Sequence, residues 1–158
     1  MRVIARNTAR GVGLLCLAAV FACADAHDDV MDVITSMAAA LTESAGPDGG
    51  GIARGNVPKF MSAFSKDMPE YDTLKNNVTA LVNEGEISSE VQPLNEEGGD
   101  GMYKIDLDWL LQVRSLQPDG PLVRRREVVH CEFRKEKKHW KIVSLKPLDF
   151  FDPAKLGQ

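Results

Sequence analysis

Between Val30 and Leu41, apolar residues return in steps of three and four: Val30, Val33, Ile34, Met37 and Leu41. That spacing predicts a helix with one inward stripe, and Asp28 and Asp29 are its expected N-caps. Four glycines and one proline between Ala45 and Gly51 then predict a flexible loop over 45–56. Val57, Phe60, Met61 and Phe64 mark a second, short amphipathic helix. Asp67-Met68-Pro69-Glu70 reads as the start of a third, whose inward stripe is Leu74, Val78, Leu81 and Val82. From Glu86 the period changes from 3.6 to 2. Ile87, Ser89 and Val91 suggest a first strand, closed by Pro93 and the turn-rich NEEGGDG. Tyr103, Ile105, Leu107, Trp109, Leu111 and Val113 share one face of a second strand. Leu122 to Arg134 is expected as a third strand, Lys135 to Lys138 as a charged turn, and His139 to Leu148 as a fourth strand. Three helices followed by about four antiparallel strands make an α+β domain, with the helices packed on one face of a curved sheet.

The alternation implies a register. Pairing Arg114 with Leu122 sets Tyr103 opposite Phe133, Ile105 opposite Cys131 and Leu107 opposite Val129, with Asp106–His130 and Lys104–Glu132 on the other face. Pairing Arg134 with His139 sets Phe133 opposite Trp140, Cys131 opposite Ile142, Val129 opposite Ser144 and Glu127 opposite Lys146. Apolar meets apolar and opposite charges meet across strands, which is what stabilises a ladder. Each large side chain buried on the inner face is worth about 2 kcal/mol, so a one-residue slip would be prohibitive.

This register leaves two anomalies. On the solvated face, Leu110, Val128, Val143 and Leu145 form an apolar patch, the usual mark of a partner interface and here a candidate homodimer surface. On the inner face, Arg125, Glu127, Ser144 and Lys146 share the parity of the apolar set. Four polar groups there need mutual hydrogen bonds or a cavity. An ion-pair cluster at the rim and the polar lining of a pocket mouth are both open readings.

Composition sets the chain's destination. MRVIARNTAR carries Arg2, Arg6 and Arg10 and no acid, the apolar run GVGLLCLAAVFA follows, and small residues end at Ala26. These are the parts of a signal peptide over 1–26, with cleavage expected after Ala26 or, failing that, after Ala24. Residues 27–158 then form a single domain ending in a tail over 152–158, exported to the periplasm or secreted. Val20-Phe21-Ala22-Cys23 loosely matches a lipobox, so a lipoprotein anchored at Cys23 is the alternative. The net charge of −4 becomes more negative without the leader and offers no footprint for nucleic acid. Cys131 is the one cysteine outside the leader region, so no internal disulfide framework is expected. Asn77-Val78-Thr79 matches a glycosylation sequon within the third helix, where it reads as chance.

Candidate chemistry is sparse. His130, Cys131, Glu132 and His139 look like zinc ligands, but neighbouring strand residues point to opposite faces and cannot converge on one ion. Cys131 lies between apolar residues with no base on its face. Asp106–His130 resembles a dyad, yet the register places it outside. His27 falls at the expected mature N-terminus, in a disordered position. No metal or cofactor is called for, since the glycine loop lacks the preceding strand and Gly-Lys-Ser/Thr ending of a phosphate cradle.

The helical first half, the strand YKIDLDWLLQV and the segment RRREVVHCEFRKEKKHWKIVSLKPLDFF together resemble the nuclear transport factor 2-like superfamily, in particular its small secreted bacterial members. The resemblance implies a cone, in which a curved sheet wraps a helix and leaves a cavity open at one end. It also implies a choice of roles, since the superfamily holds isomerases, dehydratases and polyketide cyclases beside binding and scaffold proteins. A binding domain would line its cavity with Tyr103, Trp109, Arg125, Glu127, Ser144 and Lys146, and take a small apolar ligand or a protein partner without catalysis. A cavity enzyme would use Glu127 as acid/base, although cationic neighbours weaken a carboxylate as a base. Tyr71 and Tyr103 are the available phenol donors.

Overall fold

A computed structural model describes residues 18–43, 55–99 and 101–155, with side chains from Ala26 onward. Helix α1 (Ala18–Thr42) is followed by a single turn, α2 (Val57–Met61), and by α3 (Tyr71–Glu84). The strands are β1 (Gly85–Gly99), β2 (Met102–Ser115), β3 (Leu122–Glu136) and β4 (His139–Lys146), antiparallel in the order β1-β2-β3-β4. Two 3-10 turns close the chain, Leu148–Phe151 and Pro153–Lys155. The α+β class and the four-stranded sheet agree with the pattern. In place of three comparable helices there is one long helix, one turn and one helix of fourteen residues.

α1 runs through Asp28 and Asp29, so neither caps it. Residues 1–17 of the expected leader, and residues 45–54 of the glycine loop expected over 45–56, fall outside the described residues. At the loop's exit, Gly55 takes a left-handed φ of 74° and lies against the Leu41 carbonyl, where a Cβ would stand 3.0 Å from that oxygen. Asn56 then caps α2, its side chain accepting the Lys59 N–H at 3.0 Å. The third helix starts at Tyr71 rather than Asp67, and Leu74, Val78, Leu81 and Val82 are buried as its stripe requires.

The β2–β3 register is the expected one, with Tyr103 opposite Phe133, Ile105 opposite Cys131, Asp106 opposite His130 and Arg114 opposite Leu122. The β3–β4 register differs in two ways. The turn is only Lys137-Lys138, with Lys137 at φ 59°, and Glu136 pairs with His139. Lys135 and Glu136 stay in the ladder because each has a partner there. The Lys135 ammonium lies over the Trp140 ring at 5.7 Å, and Glu136 accepts from Ser65 and Arg134, both at 2.8 Å. A bulge then makes Val143 an extra residue: Phe133 pairs with Ile142, but Glu132 pairs with Ser144 and Cys131 with Leu145.

The bulge resolves a conflict in the sequence. Strict alternation from Ile142 would send Ser144 and Lys146 inward and Leu145 outward. One extra residue reverses this, so Leu145 is buried and Lys146 is exposed. The gain is a buried leucine and an unburied lysine, each worth kilocalories. β1 is also longer than expected. Pro93 does not end it, because β1 is an edge strand and a second irregularity between Pro93 and Glu96 absorbs the proline. The other edge, β4, is covered by the segment Ala63–Ser65, which bonds both backbone groups of Ile142.

Candidate functional site

The expected pocket mouth is divided between two faces. Arg125 and Glu127 lie opposite Leu111 and Trp109, whereas Ser144 and Lys146 lie opposite Glu132 and His130 on the outer face. They therefore line no common site. Arg125 donates to the backbone carbonyls of Asp149 at 2.6 Å and Phe150 at 3.2 Å, and to the Glu127 carboxylate at 3.3 Å. Its guanidinium also sits over the Phe150 ring at 5.4 Å. Trp109 is fully buried, with its N–H on Ser89 Oγ at 2.9 Å and its ring 5.7 and 5.1 Å from those of Phe150 and Phe151. Phe151 in turn meets Phe60 at 5.4 Å. The turn Leu148–Phe151 thus fills the space inside the sheet around Trp109, and Arg125 clasps it there. Phe150 and Phe151 have no exposed surface. Their only sequence signal was two adjacent aromatic residues just after a proline.

The outer face is laced with ion pairs. Asp106 and His130 are 2.6 Å apart, Arg126 grips Asp108 at 2.5 and 2.9 Å, and Lys104 reaches Glu132 at 3.7 Å. The His130 and Arg126 hydrogen bonds hold the Asp106 and Asp108 carboxyls below the usual range. The apolar patch is smaller than expected. Leu145 has turned inward, and the bulge sets Val143 beside Glu132, four positions along β3 from Val128 and hence about 13 Å away. Leu110 and Val128 remain. His130 and Cys131 do face opposite ways, and burial pushes the Cys131 thiol up to about 12.

Two surface hollows flank the β3–β4 hairpin. The first, about 310 Å³, lies between α1, α2 and the hairpin. Asp29 and Asp32 stand on its α1 side, and Lys138, His139 and Lys141 on its hairpin side, with Trp140 between. The Trp140 indole N–H is buried with no hydrogen-bond partner among the described residues. The second, about 520 Å³, runs past Met61, Phe64, Tyr71 and Lys141. Lys141 bridges the two and donates to the Ser62 carbonyl.

A third cluster was not foreseen. His27, expected to be disordered, is a helical residue of α1 whose Nδ1 lies 2.8 Å from Glu96 Oε2 and 3.2 Å from the Tyr103 hydroxyl. The Tyr103 hydroxyl donates to the same Glu96 oxygen at 2.8 Å. Tyr103, first among the hydrogen bonds, and then His27 hold the Glu96 carboxyl below its ordinary value. Tyr103 packs edge-on to Trp140 at 6.2 Å, so it belongs to this cluster and not to the Arg125 clasp. Glu96 gave no sequence signal because its direction depends on the β1 irregularity.

No family model matches the sequence, and no curated protein matches it. Solved structures do match. One is a Mycobacterium tuberculosis protein of unknown function, with a TM-score of 0.64 at 8% identity over 82% of this chain and 75% of that one. A putative dehydratase of the nuclear transport factor 2-like family from Streptomyces avermitilis matches at 0.60 and 13% identity, over 77% and 94% of the two chains. The chain has the nuclear transport factor 2-like fold. A nuclear transport factor 2-like protein with a cystatin-like fold from Novosphingobium aromaticivorans aligns over 84% of this chain and 87% of its own, at 0.59 and 11% identity. A hexachlorocyclohexane dehydrochlorinase, at 0.59 and 13%, carries the same fold. Such neighbours span enzymes and proteins of unknown role, so the nuclear transport factor 2-like fold leaves function to the site.

Proposed function

We propose that this chain is an exported, non-catalytic binding domain that engages a protein partner through the groove between α1, α2 and the β3–β4 hairpin. The observation that carries this reading is the Arg125 clasp. An acid/base enzyme of this fold needs an inward carboxylate facing a space that substrate can enter. Glu127 instead meets Arg125, and Arg125 fastens Phe150 beside Trp109 where substrate would sit. Binding is thereby left to the surface. The groove joins acids on one wall to bases on the other around an aromatic floor, a lining that suits a protein segment better than an enclosed apolar ligand.

The test is site-specific photo-crosslinking in the source cell. A photoreactive residue replaces Ser36, an exposed wall of the groove, and in a control it replaces Thr79, exposed on α3. A discrete protein adduct from position 36 and none from position 79 supports the reading. No adduct, or the same adducts from both, overturns it. Mass spectrometry of the recovered chain reads export at the same time, by a new N-terminus at Ala26–His27 or Ala24–Asp25, or by a lipidated Cys23.

A further inference from the structure

Among the described residues, no three His, Cys, Asp or Glu side chains converge as a metal site. Counting phenol oxygens changes that. We propose that His27 Nδ1, the Glu96 carboxylate and the Tyr103 phenol oxygen bind a divalent transition-metal cation.

The three donors come from α1, β1 and β2, and their mutual separations are 2.8, 2.8 and 3.2 Å. Adjacent ligands on a cation with bonds of about 2.1 Å lie about 3 Å apart, so a cation capping this triangle needs little movement of the donors. One nitrogen and two oxygens form a borderline set, suited to copper(II) or zinc. His27 and Glu96 are each a little under half exposed, which leaves remaining coordination positions to water.

The backbone builds this triangle in two steps. Pro93 pairs with Leu107, yet Glu96 pairs with Ile105, so β1 carries one extra residue between them. Without that residue Glu96 would oppose Lys104 on the outer face; with it, Glu96 shares the Tyr103 side. Bulges commonly re-aim a side chain in this way. Gly98 lies opposite Tyr103, and a Cβ there would stand 2.6 Å from the ring. The absent side chain lets the ring lie flat under β1, with Trp140 at its edge, which fixes the hydroxyl.

Proton balance is simple. The cation takes the Nδ1 lone pair of neutral His27 and the ionised Glu96 carboxylate. The Tyr103 O–H bond breaks, its proton goes to solvent and its oxygen bonds the metal. Both cleavage positions expected for export leave His27 in the chain.

Copper(II) titration of the untagged full-length chain carrying C16S, C23S, H130Q and H139Q tests the site. These substitutions leave His27 as the one imidazole and remove both cysteines of the leader region. A saturable phenolate-to-copper absorption band is expected, with imidazole nitrogen coupling in the electron paramagnetic resonance spectrum. Y103F keeps the ring packing and should abolish the band. H27A and E96Q should each weaken copper binding at least tenfold. A band that survives Y103F, binding within twofold in H27A, or no saturable band overturns the proposal. The trio is then only a latch between α1 and the sheet.

Discussion

Cys131 shows how one position on the pleat decides reactivity. It has 1% exposure, between Ile105 and Leu145 of the neighbouring strands. Desolvation first, and then the Asp106 charge, push its pKa from 9.0 to about 12. The unfolded chain ionises this thiol near pH 9 and the folded chain does not. Its stabilisation is therefore complete below pH 9 and drains away as pH rises towards 12. C131A loses packing, which costs about 1–2 kcal/mol at neutral pH. Its denaturant midpoint should nevertheless fall less steeply between pH 9 and 12 than that of the parent chain. Equal slopes for the two would show that the thiol is not desolvated in the native state.

At the scale of elements, β2 and β3 were legible because each alternates without a break, so thirteen pairs obey a single offset. β4 was legible as a strand but its register was not, because its bulge is a backbone event that no residue type announces. The trace it left was Ser144 and Lys146 at inward positions of an otherwise apolar strand, which signalled a wrong offset more than a pocket. The same blindness hid Glu96, whose side of the sheet is set by the extra residue after Pro93. The helix faces of α1 and α3 were readable, but the start of α1 was not, since leader-like composition and helical continuity overlap there. The bulge makes a sharp prediction. L145D places a carboxylate among buried apolar groups and should cost several kilocalories or prevent folding. V143D, at the partly exposed extra residue, should shift the thermal midpoint by only a few degrees. Equal damage from the two would restore an unbulged strand.

For the whole molecule, the decisive element is the turn Leu148–Phe151. Phe150 and Phe151 join the core that Trp109, Phe60 and the α1 and α3 stripes form on the inner face of the sheet. Arg125 ties that turn to β3 through two carbonyls, and the Asp149 carboxylate pairs with Lys155 beyond it. Truncating Phe150 to alanine removes a fully buried ring from the Trp109 contact, and the expected cost is about 3–5 kcal/mol. The void left is walled by the Trp109 and Phe151 rings, with the Arg125 guanidinium over one side. Those surroundings already hold one aromatic ring and should accept a small aromatic hydrocarbon in its place. Benzene should then raise the thermal midpoint of F150A in a concentration-dependent way, as a ligand of the native state must. It should leave the parent chain unmoved, because Phe150 already occupies the place. If benzene stabilises the parent chain equally, the cone holds an open cavity, and an interior ligand regains its standing against a partner bound at the surface.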